Sequence, residues 1–220
     1  TLATPYLCDL KKYGVALGIY SGTKYIAPGS STIGGVLVDF GTFDWSNVSI
    51  NHIADRFKES RKMAFLSVAK KLCSDIGVSM APFDAFLLNL GLESLSLRIE
   101  RQCTNALALA TFFSQQKSII EVGYPGLKNH VSYNLAAKQF NNRFGALLTI
   151  KLVSKEACFT FIDSLKLAKL VTNLGDNKTL VIHPDSTIYH QRSESEKVNA
   201  GVFSNLVRIS VGIENIEDLK

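Results

Sequence analysis

Residues 20–26 read YSGTKYI, which places two hydroxyls, Ser21 and Thr23, three and one positions before Lys24. The apolar run VALGIY leads straight into this stretch and reads as a short buried strand ending in a turn. A lysine displayed by such a turn can serve as an amine nucleophile, and hydroxyls with turn N–H groups can hold a phosphate. The phosphate loop of nucleotide hydrolases does not fit. It needs Gly immediately before the lysine and a hydroxyl after it for magnesium, whereas Thr23 precedes Lys24 and Tyr25 follows. A group carrying both a phosphate and an aldehyde would use every part of the turn, its tail on the hydroxyls and its aldehyde on the amine. Pyridoxal 5'-phosphate is such a group, and it would make Lys24 a Schiff-base lysine. A solvated lysine in a serine-rich loop is the competing reading, and this stretch alone leaves it open.

The elements that must position the lysine follow from periodicity and punctuation. After the turn, IGGVLVD reads as a second strand. Met63, Leu66, Ala69, Leu72 and Cys73 recur at helical spacing, with Gly77 as the stop. From Pro82 the sequence predicts one long helix or two, since Gly91 weakens the middle, with apolar residues around so much of its circumference that it should be buried between layers. Near Lys117 a second region begins. SIIEVGYPGL, FGALLTIKLV, TLVIH and LVRISVG read as strands, VSYNLAAKQF and SKEACFTFIDSLK as helices, the latter opened by Ser154 with Glu156 in its first turn, and IENIEDLK as a terminal helix. Strands alternating with helices argue for α/β in the first region and an α+β layer pair in the second. The expected division is 1–115 and 116–220.

A chain of 220 residues, 46% of them hydrophobic, can fill real cores, and its longest apolar runs are too short to cross a bilayer as a helix. No membrane partner is expected. The net charge of +5 is scattered among acids rather than gathered with aromatics, which argues against nucleic acid. Cys8, Cys73, Cys103 and Cys158 lie far apart with no C-x-x-C pair, so no metal site is expected and they read as reduced thiols of a cytoplasmic protein. The opening TLATPYL has no methionine and reads as though cut from something longer.

The ordered segments TLATPYL, YSGTKYI, STIGGVLVDFGTFDW, APFDAFLLNLGLESLSLRIERQCTNALALA, YPGLKNHVSYNLAAKQF, FIDSLKLAKLVTNLGDNKTLVIHPDST and LVRISVGIENIEDL resemble the trans-sulfuration (Cys/Met metabolism) group of pyridoxal-phosphate enzymes. Within that group the likeness is greatest to the O-acetylhomoserine sulfhydrylases, and it covers almost the whole chain. It implies the end of a type I PLP-transferase large domain, a mixed sheet with flanking helices, followed by a small α+β domain. It also implies replacement of acetate by sulfide, free or from a carrier, to make homocysteine for methionine biosynthesis. Lys24 then matches the lysine that binds the cofactor, Ser21 and Thr23 match residues that hold its phosphate, and Arg208 matches the arginine that grips the substrate α-carboxylate. Asn173 matches a position near the same carboxylate, and Thr187 lies in a loop that the group brings to the substrate. Cystathionine γ-synthase and methionine γ-lyase are sister activities on the same scaffold, and a split subunit inactive without an upstream half is a further alternative.

The chain departs from the pattern at several places. Ala16 stands where Asp is common, Pro28-Gly29-Ser30 where Gly-His-Gly is common, and Asp185 where a small residue is usual. The resemblance further implies an upstream segment with a ring-stacking aromatic, more phosphate contacts and an Asp for the pyridine nitrogen, and a homotetramer in which neighbouring subunits complete each site.

Overall fold

The computed structural model describes residues 1–45 and 63–220. A single turn, α1 (Thr4–Leu7), precedes β1 (Leu17–Ser21). The chain then makes one π-helical turn over Gly22–Ile26 and returns as β2 (Gly35–Asp39), antiparallel to β1 with Ser21 opposite Gly35. The helix expected from Met63 is α2 (Ala64–Ile76), closed by Gly77 in the left-handed conformation. The residues from 51 to 62 that open the same run lie outside the described residues.

The stretch from Pro82 forms one helix, α3 (Pro82–Phe113), with Pro82 in its first turn and Asp84 near its positive end. Gly91 does not break it. A Cβ at that position would lie 1.9 Å from the Ile26 carbonyl oxygen, so glycine is what lets the helix touch the residues after Lys24. α3 is not buried all round, contrary to the expectation from its apolar content, because Phe83, Leu92, Leu97 and Leu107 are exposed. Its other side reaches three apolar clusters in succession. Leu88 packs with Tyr20, Ile26 and Ala27; Leu95, Ile99 and Cys103 pack with Leu7, Tyr25 and Ala146; and Ala106, Leu109, Ala110 and Phe113 join the main core. Each large aliphatic side chain so buried contributes roughly 1.5–3 kcal/mol relative to exposure.

The second region is built on a five-stranded sheet. In chain order it comprises β3 (Glu121–Gly123), α4 (Tyr133–Gln139), β4 (Leu147–Lys151), α5 (Lys155–Ser164), β5 (Lys169–Leu170), β6 (Leu180–Ile182), α6 (Glu194–Asn199), β7 (Leu206–Ser210) and α7 (Ile216–Leu219). The spatial order is β3-β4-β7-β6-β5, antiparallel except for the β5–β6 pair, so the sheet is mixed. Ser154 caps α5 by accepting from the Ala157 amide, and Ser193 with Glu196 forms a capping box on α6, a helix that the periodicity does not announce. All four cysteines are free, and among the described residues no helix is long and apolar enough to cross a membrane.

Period-two alternation on the central strand β7 divides its side chains. Val207 and Ile209 enter the main apolar cluster, while Arg208 and Ser210 occupy the opposite face. That face receives the segment carrying Asn173 and Gly175, and through it the lysine turn.

Candidate active site

The turn after β1 aims Lys24 across the molecule. Lys24 itself has non-helical backbone angles (φ −86°, ψ −125°) inside the π-turn, which closes with Ala27 N–H donating to the Gly22 carbonyl at 2.8 Å. Its half-buried amine donates to Asn173 Oδ1 at 2.5 Å. A lysine ammonium can only donate, so the oxygen end of the amide must face it, and the nitrogen end then donates to Ser30 Oγ at 3.0 Å. The Asn173 carbonyl accepts from Arg208 Nη2 at 3.0 Å. Lys24, Asn173 and Arg208, more than 180 residues apart at the ends, are thereby joined in one hydrogen-bonded line.

Ser21 and Thr23 flank the same turn but are held differently. The Ser21 amide donates to Thr1 Oγ1, whereas the Thr23 hydroxyl is paired with Gly34, donating to its carbonyl and accepting from its N–H at 3.0 Å. The Thr23 hydroxyl therefore stitches β1 to the start of β2 in this arrangement. Thr187 is not brought into the line. Its hydroxyl donates to the His183 carbonyl at 2.7 Å within its own turn.

Arg208 is half-buried, and its Nε is enclosed with no hydrogen-bond partner among the described residues. Burial lowers the pKa of its guanidinium from the ordinary arginine value, opposed by Tyr25 and Tyr189, and the group stays charged. An enclosed guanidinium N–H without a partner is costly to leave so, and a carboxylate is the group its fork matches. Tyr25 fills the space behind the lysine, 1% exposed. Burial pushes its phenol up to about 12, with the Ser210 hydroxyl opposing.

The segment around Asn173 is pressed onto the lysine turn by shape. Ser210 Oγ accepts from the Gly175 amide at 2.9 Å, and a Cβ on Gly175 (φ +80°) would lie 2.7 Å from the Tyr25 nitrogen and 3.0 Å from the Lys24 carbonyl carbon. On the other side of the turn stands α3. Arg98 donates to the Tyr25, Ile26 and Gly91 carbonyls and to Ser94 Oγ; Gln102 donates to the Asp176 carbonyl, and Asn105 to those of Gly212 and Glu214. Sequence reasoning passed over these three buried polar residues. The signal was their spacing, i, i+4 and i+7, which puts them on one helix face.

The departures noted in the sequence have definite consequences. Pro28, Gly29 and Ser30 form a tight turn in which Gly29 and Ser30 are both left-handed (φ +63° and +57°). Asp185 is buried and ion-paired with Lys197 at 2.7 Å and Lys155 at 3.4 Å, and the Lys197 hydrogen bond is the main cause that holds its carboxyl below the usual range.

The site is thus a turn that presents an amine, with a guanidinium and a carboxamide facing it from a second layer. The chain belongs to the Cys/Met metabolism PLP-dependent enzyme family, whose model matches residues 1–220. It is 38% identical to a homocysteine synthase of Schizosaccharomyces pombe, over 97% of this chain and 53% of that protein. Among solved structures it superposes on an O-acetylhomoserine sulfhydrylase of Wolinella succinogenes with a TM-score of 0.85 at 39% identity, covering 100% of this chain and 59% of that one. A second, a putative O-acetylhomoserine (thiol)-lyase of Campylobacter jejuni containing a pyridoxyl-lysine monophosphate, gives 0.86 at 32%, covering 100% and 55%. The chain spans about half the length of the curated relatives it matches.

Proposed function

We infer that this chain supplies the lysine side and the carboxylate side of an enzyme that exchanges the acetate of O-acetylhomoserine for sulfide or a thiol, giving homocysteine. The observation that carries the reading is the hydrogen-bonded line from Lys24 through Asn173 to Arg208. Its support is a homocysteine synthase 38% identical over almost the whole chain.

Pyridoxal phosphate, when bound, supplies an aldehyde that condenses with amines and a ring that takes up the negative charge left by a departing Cα proton. Lys24 holds that aldehyde between turnovers, and Ser21 and Thr23, together with the N–H groups of the turn, hold the phosphate. Thr23 must share its hydroxyl with Gly34 or exchange one of those bonds to do so. With the substrate amine bound in its stead, the Lys24 side chain, whose partner in this structure is the Asn173 carboxamide, would move protons between Cα and Cβ, removing each and later returning it. Arg208 has one nitrogen tied to the Asn173 carbonyl and an enclosed Nε without a hydrogen-bond partner among the described residues, which suits its guanidinium to the substrate carboxylate. Thr187 borders the substrate from the turn after β6. With the carboxylate fixed, acetate leaves Cγ with its bonding electrons and sulfide forms the new Cγ–S bond, so acetate is released and homocysteine is formed.

The remaining contacts to the ring and the phosphate come, in this reading, from an upstream segment, and the assembly is a cytoplasmic homotetramer. The test has two parts. Borohydride reduction after exposure to pyridoxal phosphate should leave a pyridoxyl group on Lys24, and Lys24→Ala should remove it together with the yellow colour. Homocysteine formation from O-acetylhomoserine and sulfide should exceed thiol release from methionine; the reverse preference would assign the chain to a methionine γ-lyase instead.

A further inference from the structure

We propose that Arg98 is a positioning residue for Lys24, a role that rests on the reading of Lys24 as the cofactor lysine. Arg98 is 6% exposed as a whole residue, and among the described residues no carboxylate is ion-paired with it. A buried cation with only neutral oxygens around it is expensive, so its contacts indicate what it is held for. Nη1 donates to the Tyr25 carbonyl at 2.7 Å, Nη2 to the Ile26 carbonyl at 3.2 Å and the Gly91 carbonyl at 2.8 Å, and Nε to Ser94 Oγ at 3.1 Å. Two of those carbonyls belong to the residues that directly follow Lys24.

Those two carbonyls need an outside donor for a local reason. Were the turn to continue as helix, amides further along would satisfy them. The backbone instead leaves at Ala27 (φ −63°, ψ +132°), and Pro28 has no N–H to give. Arg98 supplies the missing donors from α3, and Gly91 lets the helix come close enough to do so. On the far side, Gly175 presses on the Tyr25 nitrogen and the Lys24 carbonyl carbon. The turn is thus gripped between α3 and the Asn173 segment. The direction in which Lys24 leaves it, with the amine on Asn173 Oδ1, depends on both grips. Loosening the α3 grip should misdirect the amine while leaving its chemistry and the Arg208 site intact.

The experiment compares Arg98→Lys and Ser94→Ala with the wild type, all as holoenzyme and all well below their melting temperatures. A lysine keeps the charge but cannot fork to two carbonyls, and removing Ser94 Oγ frees Nε without touching the turn. Three quantities are read: melting temperature, visible circular dichroism of the bound pyridoxal chromophore, and kcat and KM for homocysteine formation. A displacement of about 1 Å at a reacting group costs on the order of 100-fold, so Arg98→Lys should lose roughly 10- to 100-fold in kcat with KM within about threefold. Its visible dichroism should fall by about half or more, and Ser94→Ala should move the same way by about threefold in kcat. If both folded variants keep wild-type dichroism and kcat and only the melting temperature drops, Arg98 is a stability residue and the proposal is overturned. Should Arg98→Lys fail to fold, Ser94→Ala decides by the same two criteria. A wild-type holoenzyme whose reduced pyridoxyl group is absent from Lys24 removes the underlying reading and the proposal with it. An adduct on Lys24 with unchanged variants removes the proposal alone.

Discussion

Replacing Gly91 by alanine adds one methyl group where α3 crosses the end of the lysine turn. On this backbone the new Cβ would lie 1.9 Å from the Ile26 carbonyl oxygen and 2.9 Å from Pro28 Cδ, distances that Cβ atoms essentially never keep. Helix and turn must part by more than an ångström. The Arg98 bonds to the Tyr25 and Ile26 carbonyls, now 2.7 and 3.2 Å, would then exceed hydrogen-bond range. Each hydrogen bond to a charged group is worth about 1.5–3 kcal/mol, while alanine gains about 1 kcal/mol over glycine in a helix, so the net loss is about 2–5 kcal/mol. At about 2–4 °C per kcal/mol for a chain of this size, the melting temperature should fall by roughly 5–20 °C. Scanning calorimetry of wild type and Gly91→Ala at equal cofactor loading measures it. An unchanged or slightly higher melting temperature, the usual result for an exposed helical glycine, would show that α3 and Ile26 are not in contact and would refute the account of the turn.

Arg208→Ala should raise KM for the amino-acid substrate by about 10- to 100-fold, the equivalent of one charge-assisted contact, and an unchanged KM would take Arg208 out of the site. Ser30→Ala and Ser30→Gly both delete the hydroxyl that accepts from Asn173, but only alanine keeps the left-handed strain. In urea the alanine variant should therefore be less stable than the glycine variant by about 1 kcal/mol, and equal stabilities would deny the strain. Asp185 has its carboxyl depressed chiefly by the Lys197 hydrogen bond, so its contribution to stability is present above about pH 4 and lost as the pH falls through the native value. Melting temperatures measured from about pH 3 to 6 should fall less steeply in Asp185→Asn than in the wild type, and parallel curves would contradict this.

Much of the fold was legible because its signals are local. Gly77 closes α2, Ser154 caps α5, and the apolar runs around Leu148, Val181 and Val207 are the strands of the main sheet. The sequence singles out Ser21, Thr23 and Lys24 by type and spacing and Arg208 through the resemblance, yet neither could reveal that Asn173 links Lys24 to Arg208, since a contact spanning 149 residues leaves no periodic trace. The long helix was misjudged for a different reason. Counting its apolar residues suggested burial all round, whereas Arg98, Gln102 and Asn105 are buried and Leu97 is 74% exposed. Hydropathy scores a side chain by type, but these three are buried with N–H donors placed on backbone carbonyls.

The stripe of Arg98, Gln102 and Asn105 also acts as a ruler. At 1.5 Å of rise per residue, these side chains grip residues 25–26, 176 and 212–214 at axial steps of about 6 and 4.5 Å. The offset between the lysine turn and the exit of β7 is therefore set by helix pitch and not by the lengths of the connecting loops. Insertions in those loops can accumulate without moving the amine relative to the guanidinium. One residue gained or lost between 98 and 105 would turn half of the stripe by about 100° and uncouple the two halves of the site at once.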